Sequence, residues 1–240
     1  MERRIERMEF NANASPFKII LGSKSTARRK ILAEMGYEFT IMTADIDEKA
    51  IRKEKPEELV MALAEAKADA IISRLQIADK EVNDAEPTLL IASDTAEART
   101  PNIVSGDHRK DAESTFLITA DQVVVYEGMI REKPSSKEEA RQYMRDYSGS
   151  KAATVSSVLV TNLRTGFRKG EWDKVEILFD EIPGETIDKL IEEGAVLNVA
   201  GGLIIEHPLI LPLVKEVVGT TDSVMGLPKA VTERLIREAL

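Results

Sequence analysis

The residues of this chain best suited to chemistry gather first where Ile19-Ile20-Leu21 runs into Gly22-Ser23-Lys24-Ser25-Thr26-Ala27-Arg28-Arg29. An apolar strand pattern meets a glycine, hydroxyls and an arginine pair just as a helical pattern begins. A helix N-terminus leaves backbone N–H groups unpaired and carries partial positive charge, so this turn is suited to an anion, and to phosphate above all. Neither Gly-x-x-x-x-Gly-Lys-Ser/Thr nor Gly-x-Gly-x-x-Gly occurs in the sequence, so it is not one of the two common nucleotide loops. The plainer alternative is that Ser25 caps a helix whose Arg28 and Arg29 lie on a solvated face.

Four further polar features interrupt apolar or helical stretches. Asp121 stands within Phe116–Tyr126, which is otherwise apolar on both faces apart from Gln122. Asp45-Ile46-Asp47-Glu48 ends a strand pattern, Lys67 sits among alanines on a helical stretch, and Lys133 precedes Pro134. An ion buried without a partner is costly, so each group either reaches solvent or meets opposite charge. Carboxylates meeting an oxygen-seeking metal, with lysines and an arginine beside them, make a phosphate-processing site; ordinary ion pairs and solvated strand ends are the competing reading.

The whole chain limits which chemistry is available. Thirty-three basic against forty-two acidic residues give a formal charge of −9, so the molecule as a whole does not attract nucleic acid or an anionic membrane. Bound phosphate must therefore be drawn by local cations. No cysteine is present, which removes disulfides, thiolate zinc sites and cysteine nucleophiles. With His108 and His207 the only histidines, Lewis-acid chemistry falls to a hard ion held by oxygen. Met1–Phe10 is charged rather than apolar and no apolar run approaches membrane-spanning length, so a soluble, cytoplasmic protein is expected.

The elements that must position these residues alternate between strand and helix. Lys18–Leu21 and Phe39–Met42 read as strands on either side of a helix over Thr26–Met35, ended by Gly36. Pro56, with Glu57 and Glu58 behind it, opens a helix to about Leu75. Residues 78–114 change character to scattered Asp, Asn, Pro, Gly and Thr, and read as an insertion. Phe116–Tyr126 reads as a central strand, and Ser135 with Glu138 as a capping box opening a helix to Tyr147. Lys151–Thr161 and Val175–Phe179 read as paired strands, Pro183–Glu193 as a short helix closed by Gly194, and the stretch after Gly226-Leu227-Pro228 as a C-terminal helix. With 240 residues and 43% apolar content, one α/β domain over 17–240 is expected, preceded by an extension over 1–16.

Eight of these segments stand in the order in which they occur in the Maf family of nucleotide pyrophosphatases, which the chain resembles from about Phe17 to its end, the insertion excepted. They are Ser23-x-Ser25-x-x-Arg28-Arg29, Asp45-Ile46-Asp47-Glu48, Leu63-Ala64-x-x-Lys67-Ala68, Ala120-Asp121-Gln122-Val123-Val124, Glu132-Lys133-Pro134, Ser148-Gly149, Ala200-Gly201-Gly202 and Gly226-Leu227-Pro228. The resemblance implies an elongated mixed sheet with helices, of the Maf and inosine-triphosphatase kind, its two lobes flanking a central cleft. It implies a homodimer that hydrolyses nucleoside triphosphates to monophosphate and pyrophosphate with magnesium or manganese. Carried across, the phosphate contacts fall on Ser23, Ser25 and Arg28, the conserved acid on Glu48, the lysines on Lys67 and Lys133, and the general base on Asp121. Glu48 and Asp121 would hold the metal, and Gln122 and Glu206 could read the base. Thr26 stands where the family usually has proline, and Asp121-Gln122 resembles the branch acting on 7-methyl-GTP, CTP or UTP rather than the Asp-Thr branch acting on dTTP and UTP.

Three other readings remain: a nucleotide-binding regulator of cell division without turnover, a purine triphosphate pyrophosphatase of the inosine type, and, least suited to the Ser/Arg turn, a carboxylate-pair glycosidase. Trp172 is expected to pack against the cleft wall or the sheet, and His207 to lie in a loop.

Overall fold

The computed structural model of the chain describes residues 17–84 and 114–240. The expected extension over 1–16, and the expected insertion beyond residue 84, lie outside the described residues. The elements run β1 (Phe17–Leu21), α1 (Thr26–Glu34), β2 (Thr40–Ile41), α2 (Pro56–Asp84), β3 (Ser114–Tyr126), β4 (Met129–Arg131) and α3 (Lys137–Tyr147). They continue with β5 (Lys151–Asn162), β6 (Arg168–Phe179), α4 (Gly184–Glu193), β7 (Val214–Val218), α5 (Thr221–Val224) and α6 (Lys229–Ala239).

The seven strands form one mixed sheet in the order β2-β1-β3-β5-β6-β7, with β4 also on β3. The arrangement around β3 positions the site. One edge of β3 pairs with β5 continuously from Phe116 to Val125, whereas the other edge pairs with β1 only as far as Ile118 and with β4 only from Val124. Between Thr119 and Val123 no strand among the described residues lies against that second edge. The sheet therefore opens a crevice at the carboxyl end of parallel β1, where α1 begins.

Side-chain alternation divides the core into layers. On one face of β3, Phe116, Ile118 and Ala120 pack with Ile31 and Leu32 of α1 and Leu235 and Ile236 of α6. Farther along the same face Val124 joins a second cluster with Met144 and Tyr147 of α3 and Leu190 and Ile191 of α4. The opposite face is covered by α2, whose Leu59, Val60, Leu63, Ala64, Ala68 and Ile71 meet Leu117, Val123, Val155 and Leu159. The two clusters on the first face meet β3 on either side of Gln122, at Ala120 and Val124.

Several sequence expectations shift. Helix α2 continues to Asp84, so Ala78–Asp84 belong to it rather than to an insertion. β2 shrinks to two residues, β6 begins at Arg168 rather than Val175, and the edge strand β7 has no counterpart in the sequence reading. The cap of α3 lies one residue later than expected: the Ser136 side chain accepts from Glu139 N–H, and the Glu139 carboxylate accepts from Ser135 N–H at 2.6 Å. Trp172 is not core: it is 49% exposed on the half of β6 that β7 does not reach.

Candidate active site

A cleft of about 710 Å³ occupies the crevice, and all nine residues singled out from the sequence, Ser23, Ser25, Arg28, Glu48, Lys67, Asp121, Gln122, Lys133 and Glu206, line it. A smaller cavity of about 290 Å³ lies among Val125, Glu127, Lys151 and Lys174 and carries none of them.

One wall is the turn from β1 into α1. The Ser25 hydroxyl caps the helix by accepting from Arg28 N–H at 3.3 Å, as one half of the plainer reading expects. Arg28, however, leaves the solvated face and turns into the cleft. Its Nε donates to the Gly226 carbonyl at 2.9 Å, and its Nη1 to the Ala120 carbonyl at 3.0 Å and the Ser23 hydroxyl at 3.4 Å. Burial lowers the Arg28 pKa against the pull of Asp121 and Glu48, but a guanidinium keeps its charge. Gly226 has φ 94°, and a Cβ there would stand 3.1 Å from Arg28 Nε and 3.2 Å from Gln122 Oε1, so only glycine fits this turn.

The floor is set by α2 on β3 and β5. The Ser157 hydroxyl donates to the Val60 carbonyl at 2.7 Å, and the Thr119 hydroxyl to the Ala64 carbonyl at 2.8 Å. These two staples lie one turn apart, and Lys67, three residues further on, falls on the same helix face. Its ammonium stands 2.5 Å from Asp121 Oδ2 and 2.7 Å from Glu48 Oε1. Asp121 also accepts from Gln122 N–H at 2.7 Å, and its own N–H donates to the Ser157 hydroxyl at 3.2 Å. Glu48 opens a short 3-10 turn, Glu48–Ala50, capped by the Asp47 side chain. Burial works to raise the Glu48 pKa, but the hydrogen bond and charge of Lys67, with the charges of Lys133 and Arg28, hold it below the ordinary carboxylate value.

The far wall is Glu132-Lys133 together with Asn198–Ala200 and Leu203–Glu206. Arg52 ties it to the Glu48 turn, donating to the Glu48 carbonyl at 3.3 Å and meeting Glu132 Oε1 at 3.4 Å. Lys133 and Glu206 are exposed at the rim. His207 lies in a turn beyond it, its Nε2 2.8 Å from Glu193 Oε2.

Gln122 faces the other side of β3 from Asp121. Its Nε2 reaches the Val224 carbonyl at 2.6 Å, the Ser156 hydroxyl at 3.0 Å and the Ser223 carbonyl at 3.3 Å. The amide hydrogens are thus given to the protein, and only its acceptor end can meet a ligand. The sequence reading missed Lys24 and Lys49, two exposed cations that also line the cleft. It also missed Ser156 and Ser157, whose hydroxyls inside an apolar strand were the available signal. With Lys24, Lys49, Arg28, Lys67 and Lys133 against Glu48, Asp121, Glu132 and Glu206, the cleft is slightly cationic inside a chain of charge −9.

Among the described residues no three His, Asp or Glu side chains gather to enclose a metal. Two carboxylates, Glu48 and Asp121, converging on Lys67 beside the Ser23 turn do fit an ion such as magnesium, which takes one or two carboxylates and completes its shell with substrate oxygens and water.

Fold and site thus define an α/β protein with a slightly cationic cleft floored by a lysine between two carboxylates. The family model described as Maf-like protein matches residues 18–239, and the chain belongs to that family. It is 35% identical over 220 residues to a 7-methyl-GTP pyrophosphatase of Dictyostelium discoideum, covering 92% of this chain and 96% of that protein. It is 28% identical over 212 residues to a dTTP/UTP pyrophosphatase of Clostridium acetobutylicum, covering 88% and 92%. A nucleoside triphosphate pyrophosphatase of Salinispora tropica is 25% identical over 223 residues, covering 93% and 84%. No described helix is long and apolar enough to cross a membrane.

Proposed function

We propose that this chain is a nucleoside triphosphate pyrophosphatase, hydrolysing the bond between the α- and β-phosphates to give a monophosphate and pyrophosphate. The observation that carries the reading is the Lys67 ammonium held between Asp121 and Glu48 at the foot of the Ser23–Arg28 turn. The family and the names of its relatives support the same reaction.

The reaction needs a water directed at the α-phosphorus and relief of the charge passing to the leaving pyrophosphate. The Ser23 and Ser25 hydroxyls and the start of α1 hold phosphate oxygens, and Arg28, already anchored by three bonds to the protein, offers its remaining donors. Asp121 orients the attacking water and accepts its proton. Lys67, passing from its two carboxylates toward the phosphates, and Lys133 at the rim meet the developing negative charge. Glu48 and Asp121 would hold a divalent ion, magnesium or manganese, which when bound neutralises phosphate charge and lowers the pKa of water.

The substrate favoured is 7-methyl-GTP or a pyrimidine triphosphate. The greater identity to the Dictyostelium discoideum protein, at 35%, than to the dTTP/UTP relatives favours the former. Such a role, the removal of unwanted nucleotides from the pool, belongs to the cytoplasm, and the active form is proposed to be a homodimer.

Incubation of the purified chain with magnesium and a panel of triphosphates, assaying both products, tests the reading. Equal amounts of monophosphate and pyrophosphate are expected, fastest with 7-methyl-GTP. Stoichiometric binding without products would instead indicate a nucleotide-holding regulator, and preference for inosine triphosphate the purine branch.

A further inference from the structure

Two residues before Lys133 stands a buried cation that is not among the residues lining the cleft. Arg131 ends β4 with its side chain 7% exposed. Its guanidinium carbon stands 4.4 Å from the ring centroids of both Tyr126 and Tyr143 and 5.1 Å from that of Tyr147. Nη2 pairs with Asp146, while Nη1 is buried without a hydrogen-bond partner among the described residues. Burial works against its charge, and Tyr147 and Asp146 outweigh that effect, so the guanidinium stays protonated.

The same cage holds the opposite lip of the cleft. The Tyr147 hydroxyl donates to the Gly201 carbonyl at 3.0 Å, and Gly201 N–H donates to the Glu132 carbonyl at 2.8 Å. Gly201 has φ 59°, and a Cβ there would fall 2.5 Å from Val124 Cβ and 2.8 Å from the Tyr147 hydroxyl. The residue after Arg131 is therefore bonded to the Ala200–Gly202 turn, and the next is Lys133, followed by buried Pro134. An apolar side chain could fill the space between the rings, but only a planar fork stacked on them and paired with Asp146 also fixes a direction.

We propose that Arg131 is a positioning residue for the reaction: clamped by the three tyrosines and Asp146, and tied through Glu132 to the Ala200–Gly202 turn, it sets where Lys133 stands across the cleft from the Ser23 turn. The inference rests on Lys133 serving the phosphate chain, as the proposed function has it.

A double-mutant comparison tests it. Arg131→Met and Arg131→Lys are each made in the native chain and in Lys133→Ala, with near-ultraviolet circular dichroism to follow the tyrosine cage. Both kcat for pyrophosphate release and the affinity for a non-hydrolysable triphosphate are measured. In the native background Arg131→Met is expected to lower kcat about 10-fold to 100-fold, as small misplacements of catalytic groups do. Arg131→Lys, which keeps charge but not the fork, should lose less. In the Lys133→Ala background the same changes should alter kcat by less than about twofold, because the group they position is already gone. Equal factors in both backgrounds, or an unchanged kcat in the native one, would overturn the proposal. Should Arg131→Met not fold, Arg131→Lys decides by the same comparison. Should the native chain release no pyrophosphate, the proposed function fails by itself, and analogue affinity then judges Arg131: weakening that vanishes with Lys133→Ala supports it, and weakening that persists refutes it.

Discussion

Asp121 and Gln122 are neighbours on β3 that serve opposite faces of the sheet: the Asp121 carboxylate meets Lys67 of α2, while the Gln122 amide reaches the Ser223 and Val224 carbonyls of α5. The two-residue period of a strand forces this division. One side chain faces the Lys67 pair at the foot of the cleft, and the next holds the wall through which Arg28 is anchored at Gly226.

Replacing Asp121 by Asn keeps the shape of the side chain but removes its charge and its ability to accept a proton from water. Turnover is expected to fall by at least about 100-fold, with the near-ultraviolet dichroism unchanged. Pyrophosphate release measured on a pure preparation checks this, and a rate within about twofold of the native one would mean that Asp121 is not the base.

Gln122→Glu has a different signature. It removes the donor that satisfies two backbone carbonyls and the Ser156 hydroxyl, and sets a carboxylate against them. A loss of about 1–3 kcal/mol in stability is expected from the unsatisfied groups, together with a raised KM as the Arg28 anchor loosens. Denaturant titration and initial rates read both effects.

Gly226→Ala tests the same wall from its backbone. With φ 94° and a Cβ about to crowd Arg28 Nε and Gln122 Oε1, the substitution strains the turn and displaces the guanidinium. KM is expected to rise at least about 10-fold, as for loss of a charge-assisted phosphate contact worth about 1.5–3 kcal/mol. An unaltered KM would show that the Gly226 bond is not what holds Arg28.

The sequence revealed most where local physics suffices. Ser25 before an apolar helix, Pro56 with two glutamates behind it, and the two-faced apolar strand carrying Asp121 are local signals, and each led to the right element. What it could not convey depends on distant partners. Strand β7 exists because Glu176–Phe179 offer it an edge, and Trp172 is exposed because that edge stops short of it. Gln122 by itself is able to read a base, but α5, a hundred residues later in the chain, takes its amide hydrogens. In the α3 cap, Ser135 and Ser136 are alternatives in sequence, as are Glu138 and Glu139, and the folded chain uses Ser136 with Glu139.

That cap gives a pH dependence outside the cleft. Glu139 accepts from the Ser135 backbone N–H and hydroxyl and from the Tyr143 hydroxyl, which hold its pKa below the ordinary value. A carboxyl with a lower pKa when folded stabilises the protein above its unfolded pKa, and loses that contribution as pH falls through the folded one. Glu139→Gln should therefore lower Tm at neutral pH and by a smaller amount near about pH 3, below the usual carboxylate value. An equal drop at both would assign the effect to packing rather than charge.

The most direct measurement is hydrolysis in heavy-oxygen water with magnesium and 7-methyl-GTP, followed by mass analysis of both products. With water directed by Asp121 at the α-phosphorus, the label is expected in the monophosphate and absent from pyrophosphate, and Asp121→Asn should give neither product. Label in pyrophosphate, or release of orthophosphate instead, would contradict the account.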